Sequence, residues 1–268
     1  MKKLFIVVLY KINVEDSPTI KSFINCKLFS NENNSFVIWD NSPSPRIEKN
    51  LKYVETLPST RYISHTENTP LAKVYNTVVA ENTSADYIAI FDQDTEIKDF
   101  DYEKKLDLAI EHNPNIYLFM PIIRSLNGQI YSPGKNILPA KNRKIKSISY
   151  GINRCKNLVG ISSGLVISAN YLRNVYKFNE KLKLYGVDTD FFYHYAKNNR
   201  YLYLLELDIA HDLSFENTGI SKEENWRRFL ERNYSYLDIY TNSFEKLFVH
   251  IWMIYYKILK KCNLLRYK

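Results

Sequence analysis

Six short apolar runs set the terms on which this chain can fold. Leu4–Tyr10, Phe36–Trp39, Tyr87–Phe91, Ile116–Met120, Leu165–Ile167 and Tyr201–Leu205 have strand length and hardly alternate between apolar and polar residues. Strands of that kind are buried on both faces, the condition of a sheet covered by helices on its two sides. The segments between several of them have helical spacing. In "TPLAKVYNTVVAEN", Thr69 is a candidate cap, Pro70 suits a first helical position, and Leu71, Val74 and Val78 share one face. "DYEKKLDLAIEHNP" places acids early and Pro114 just past its end. Strand and helix in alternation predict an α/β fold with a mostly parallel sheet.

In such sheets ligands bind beyond the carboxyl ends of the strands. "WDNS" (Trp39–Ser42) and "DQDT" (Asp92–Thr95) both leave strands in that direction. Asp92 and Asp94, crowded at the end of an apolar run, repel one another unless a cation lies between them. Hard carboxylate oxygens with room for water suit Mg²⁺ or Mn²⁺ holding a diphosphate. A phosphatase of the haloacid dehalogenase type requires a small residue at the fifth position of that motif, after the first strand. Here the fifth residue is Glu96 and the motif follows the third run.

The formal net charge of +8 favours acidic partners without choosing among them. Lysine and arginine are scattered until "YYKILKKCNLLRYK", with no basic groove interleaved with aromatics, so no nucleic-acid partner is expected. Three widely spaced cysteines, without CxxC spacing, argue against a disulfide framework or a zinc site and fit a reducing cytoplasm. The apolar run near Met1 is too short for a signal peptide and reads as a first strand. From Ser221 two helices are expected, the first opened by a capping box of Ser221 and Glu224. The last has too few apolar residues to span a bilayer, but its basic end, Trp252, Tyr255 and Tyr256 suit either an anionic membrane interface or packing on the protein.

In order along the chain, "LFIVVLYK", "VIWDNSP", "NTPLAKVYN", "YIAIFDQDTEI", "ISSGLVIS", "FNEKLKLYGVDTDFFYH", "DIAHD" and "WRRFLERNY" resemble the motifs of the inverting family 2 glycosyltransferases of the GT-A fold, in particular a bacterial rhamnosyltransferase-like branch. The resemblance covers roughly Leu4 to Asn233. It implies a GT-A catalytic domain over residues 1–220 and a helical extension over residues 221–268. It implies a nucleotide diphosphate sugar donor, dTDP-rhamnose or a UDP-hexose, contacted by Asp40, Asn41, Asn68, Asn76, Asp92, Gln93 and Asp94, with Arg227, Arg228 and Arg232 toward the diphosphate. Asp92, Asp94 and His211 would hold Mg²⁺ or Mn²⁺.

By position Asp188 resembles the family's catalytic base, which takes the acceptor's proton. A carboxylate capping the helix "TDFFYHYAKN" would look the same, for Asp188 and Asp190 alike. Ser162, Ser163, Gly164 and Asp190 would line the acceptor side. The acceptor implied is a glycan, lipid-linked, in surface polysaccharide synthesis such as O-antigen or capsule, at the inner face of the cell membrane. Two departures stand out: the glycine of the family's N-x-G turn is Pro70, and no glycine follows His211 until Gly219. The competing functions are a sugar nucleotidyltransferase, which calls for a glycine-rich loop that "YKINVEDSP" lacks, and a non-catalytic sugar-nucleotide or polysaccharide binding module.

Overall fold

The computed structural model describes residues 1–44, 46–124, 129–139, 141–211 and 221–261, without the side chains of Asp208 and His211. Thirteen strands occur among these residues: β1 (Lys3–Leu9), β2 (Asn34–Asp40), β3 (Thr60–Ser64), β4 (Tyr87–Asp92), β5 (Thr95–Ile97), β6 (Leu118–Arg124), β7 (Ile130–Ser132), β8 (Gly134–Leu138), β9 (Lys141–Lys144), β10 (Gly151–Arg154), β11 (Leu158–Val159), β12 (Leu165–Ser168) and β13 (Tyr201–His211). The helices are α1 (Pro18–Asn25), α2 (Ile47–Val54), α3 (Leu71–Glu81), α4 (Tyr102–His112), α5 (Ala169–Asn174), α6 (Val187–Asn198), α7 (Lys222–Ile239) and α8 (Ser243–Lys261).

The main sheet runs β10-β13-β6-β12-β4-β1-β2-β3, and a small sheet runs β11-β8-β9. Strands β3, β2, β1 and β4 are mutually parallel, as the unbroken apolar runs required, and antiparallel neighbours enter from β12 onward. Register decides what shares the carboxyl edge. Leu9 pairs with Asp40 and Val8 with Asp92, so β2 and β4 deliver their terminal aspartates on either side of the end of β1.

Both faces of the sheet are covered. On one, Phe5, Phe23, Phe36 and Phe91 form an aromatic block, with Phe5 stacked on Phe36 at 5.1 Å and Phe23 edge-on to Phe91 at 5.0 Å. On the other, α3, α5 and α6 bury Val74, Tyr75, Val78, Tyr171, Phe191 and Tyr195. Tyr236 and Ile239 of α7 and Val249 and Met253 of α8 join that second core, so the two last helices are packed onto the sheet domain. Lys3 is buried to 1% exposure beside Glu103 at 2.8 Å and Asp107 at 3.0 Å, which keeps the ammonium paired where water is excluded.

The helix ends follow the sequence signals in part. Ser221 caps α7 by accepting from the Glu224 N–H at 3.1 Å, as expected. Thr69 does not cap α3. Its hydroxyl turns back to the Glu67 carbonyl, and Pro70 itself stands at the cap position, because Thr69 is held by Asn41.

Phe23 lies on α1, the helix whose first turn supports the Asp92–Thr95 turn. Phe23→Ala leaves a void between α1 and the sheet and is expected to cost about 3–5 kcal/mol. Urea unfolding should show the midpoint fall with little change in slope, and an unchanged midpoint would remove this block from the core.

Candidate functional site

The turn between β4 and β5 is the most tightly held part of the carboxyl edge. Only Gln93 and Asp94 separate the two strands, and hydroxyls from three directions fix them. Thr19 donates to the Asp92 carbonyl at 2.5 Å and accepts from the Thr95 N–H at 3.0 Å. Ser17, the cap of α1, donates to the Gln93 carbonyl at 2.7 Å. Ser163 accepts from the Asp92 N–H at 2.9 Å and its hydroxyl is hydrogen-bonded to the Thr95 hydroxyl at 2.5 Å. The Gln93 side chain in turn receives the Tyr10 N–H at 2.7 Å, so the loop after β1 is tied to the same turn. With the backbone committed in this way, the Asp92 and Asp94 carboxylates project from a fixed support.

Asp188 reaches this turn from the far half of the chain. It sits in the first turn of α6, and its carboxylate accepts the backbone N–H groups of Asp188 itself and of Ser162. Burial pushes its pKa up to about 6, and the negative charge of Asp92 pushes in the same direction, while the two backbone donors pull it down. Tyr75 of α3, fully buried, feels the charge of both. Its pKa is driven well above the ordinary phenol value by burial first and then by Asp92 and Asp188. Its hydroxyl faces the Ser162 side chain without reaching proper hydrogen-bond geometry. Asp92, Asp188, Ser162 and Tyr75 thus form one acidic cluster, and Tyr75 is the member that sequence reasoning missed, since its position on an apolar helix face looks like core.

A cleft of about 430 Å³ opens beyond β1 and β2, lined by Lys11, Asn13, Asp40, Ser42 and Arg46 among others. Asp40 lines it with its carboxylate already engaged. It accepts from Tyr62 at 2.6 Å, Asn50 at 3.1 Å and the Ser42 N–H at 3.0 Å, with no exposed surface. Tyr62 is pushed up to about 12 by burial and then by that hydrogen bond. Asp40 thus stands at the cleft with its carboxylate held by Tyr62, Asn50 and Ser42, and Lys11 and Arg46, which no motif pointed to, line the cleft beside it. Asn41 bonds both the N–H and the carbonyl of Thr69 at 2.8 Å, pinning the loop that carries the exposed Asn68.

Other expected contacts are also structural in this fold. Asn76 clamps the Phe178 backbone from both sides, at 2.9 and 3.0 Å, and donates to Glu180. Ser163 is buried under the Asp92–Thr95 turn, where it accepts from the Asp92 N–H. Gly164 has φ +83°, and a Cβ there would meet Pro121 Cγ at 2.7 Å, so the close approach it permits is to Pro121. Asp190, 1% exposed, turns inward to Tyr176 at 2.6 Å and to the His194 ring, whose pKa it raises; it braces α6 behind Asp188. Arg227 and Arg228 both pair with Glu224, at 2.8 and 3.0 Å, and Arg232 lies over the Phe229 ring.

Among the described residues no group of three or more His, Cys, Asp and Glu side chains comes together as a metal site. The donor set nonetheless fits a hard divalent cation, because Asp92 ends β4 and Asp94 lies within the two-residue turn that follows it. The register adds His211, paired with Thr95 across β13 and β5, which brings that residue to the turn. Its side chain, and residues 212–220 including Gly219, lie outside the described residues.

Because Asp188 has its pKa raised, the protonated carboxyl is the form the fold tolerates, and its ionisation opposes folding as pH rises through about 6. Asp188→Asn should therefore melt at a higher temperature than the parent protein at pH 7.5, and the difference should vanish near pH 4. Melting curves at the two pH values check this. Equal curves at pH 7.5 would show that Asp188 is not under electrostatic load.

The sequence matches the family model described as glycosyl transferase family 2 over residues 17–229. No curated protein matches the chain significantly. Among solved structures, S. aureus TarS 1–349 aligns with a TM-score of 0.54 at 16% identity, covering 79% of this chain and 60% of that one. The same fragment in complex with UDP-GlcNAc aligns at 0.55 and 15%, covering 85% and 64%. GalNAc-T7 with UDP, GalNAc and Mn²⁺ aligns at 0.60 and 10%, covering 79% and 44%. The chain thus spans less than two thirds of these relatives' lengths, and at such identity the likeness speaks to the fold, an α/β sheet of GT-A type. With the family's motifs in order, its match over most of the chain and its fold, this protein belongs to glycosyltransferase family 2.

Proposed function

We propose that the protein is an inverting, metal-dependent glycosyltransferase that moves a sugar from a nucleotide diphosphate donor to a glycan hydroxyl. The observation that carries this reading is the convergence of Asp188 with Asp92 on one rim, although the two lie in different halves of the chain. A donor-side turn with a partly buried base near enough to feel its charge is what single displacement at an anomeric carbon needs. The Lys11–Arg46 cleft takes the nucleotide, and the Asp92–Asp94 turn takes the diphosphate side. Complexes of the solved relatives with UDP, UDP-GlcNAc and Mn²⁺ favour a uridine donor over dTDP-rhamnose.

Asp92 and Asp94, with His211 as the third candidate, would hold Mg²⁺ or Mn²⁺, which neutralises charge developing on the departing diphosphate. Asp188 removes the proton from the acceptor hydroxyl as that oxygen attacks C1 of the sugar. The C1–O bond to the diphosphate breaks, its electron pair leaves with the nucleotide, and the anomeric configuration inverts. The acceptor enters from the Thr189 side of α6. A cavity of about 310 Å³ opens there among Thr189, Phe192, Tyr193, Leu138 and Asn157, one residue along from the base. The acceptor class is a lipid-linked glycan of surface polysaccharide synthesis.

Two measurements test this reading. A panel of nucleotide sugars screened by melting temperature should show a shift of a few degrees for a true donor with Mn²⁺, lost in chelator and in Asp94→Asn. A shift that survives chelator would remove the metal from donor binding. Asp188→Asn should keep that shift yet lose transfer by roughly 10²–10⁴-fold. Normal turnover in the variant would show that the base is another group.

A further inference from the structure

Helix α8 is apolar on two opposite faces. Val249 and Met253 are buried at 0% and 2% exposure and anchor it to the core. On the far side Phe244, Leu247, Ile251, Ile254, Tyr255 and Ile258 fall within an arc of roughly 100° at helical spacing. Each of the six is 48–64% exposed. Together they make a stripe about 21 Å long at the standard helical rise. Single exposed apolar residues need no explanation, but a continuous helix-long stripe does. Among the described residues no helix is long and apolar enough to cross a membrane.

The charges beside it select what it meets. Lys246, Lys257 and Lys261 lie along one flank of the stripe by the same helical spacing, with His250 among them, and the Lys257 ammonium also donates to the Tyr234 hydroxyl of α7 at 2.8 Å. The one acid of α8, Glu245, is on the opposite flank and accepts the Tyr193 hydroxyl at 2.7 Å. A second copy of this helix would bring the same cations to the seam and no acid free to pair with them. Anionic headgroups offer those cations partners while the acyl region receives the apolar side chains.

We propose that α8 is a monotopic anchor that lies flat on an anionic bilayer, its Phe244–Ile258 stripe in the headgroup and acyl boundary and its lysine flank at the headgroups. This deepens the membrane-side acceptor reading by naming the face that docks, yet it rests on the geometry of α8 and not on transfer chemistry. Tyr240 at the end of α7 and Glu245 in the first turn of α8 also line the cavity on the Thr189 side of α6, so a protein docked in this way holds that cavity close to the lipid surface.

Cosedimentation of the full chain with vesicles tests the proposal without any nucleotide sugar. The protein should pellet with phosphatidylcholine vesicles containing phosphatidylglycerol and stay in solution with phosphatidylcholine alone. Ile251→Glu with Ile254→Glu should weaken binding by roughly a hundredfold or more. Lys257→Gln with Lys261→Gln should weaken it by roughly thirtyfold, at about 1 kcal/mol per lysine. Circular dichroism melting of each variant confirms that it is folded, since all four positions are exposed. The proposal is overturned if the parent protein ignores phosphatidylglycerol vesicles, or if the folded glutamate variant pellets as the parent does. A dimer seen by light scattering that dissociates in Ile251→Glu, with no vesicle binding, would assign the stripe to a second copy instead.

Discussion

The Asp92–Thr95 turn holds its place only because hydroxyls from two other segments hold it. A strand that ends in Asp-x-Asp puts two negative charges at short range, and left to itself such a segment would spread into solvent. Thr19 and Ser17 from the start of α1, and Ser163 from the segment before β12, bond the Asp92 N–H and carbonyl, the Gln93 carbonyl and the Thr95 N–H. The strain of like charges is thereby carried by a rigid frame. That frame depends on the aromatic block beneath α1, where Phe23 meets Phe5 and Phe91. Core packing and site geometry are one arrangement here.

Asp188 adds a second electrostatic conflict to the first. Its carboxylate is half-buried and feels the charge of Asp92, while backbone N–H groups of Asp188 and Ser162 offset part of the cost. A protein selected for stability alone would place an amide there. Groups held at a raised pKa near a cleft are those that exchange protons in use, and a carboxylate near 6 is basic enough to accept a proton while mostly ionised at neutral pH. Asp190, two residues on, shows the contrast: bonded to Tyr176 and the His194 ring, it is a brace for the helix.

Much of the fold was legible from pattern. The non-alternating runs become the buried strands, the Ser221 signal caps α7, and Asp92 and Asp94 stand at the end of β4, as the motif implied. The site was legible less evenly. Asp40 and Asn76 occupy motif positions, but their side chains are consumed by Tyr62 and Asn50 in one case and by the Phe178 backbone in the other. Motif spacing identifies where a polar residue stands and not which partner claims it. Tyr75, Lys11 and Arg46 were invisible for the converse reason, because nothing local distinguishes them from core or surface.

By itself the sequence determined the alternation of strands and helices, the acidic turn at the carboxyl edge and the order of family motifs, since all of these depend on spacing between near neighbours. Tertiary structure decided that Asp188 feels the charge of Asp92, that Ser163 and Gly164 serve the turn and Pro121, and that α8 buries Val249 and Met253 while leaving its opposite apolar face outside. Those outcomes turn on how sheet order and helix packing bring distant segments together. Whether a side chain is paired, buried or exposed is a property of that packing, which local periodicity does not contain.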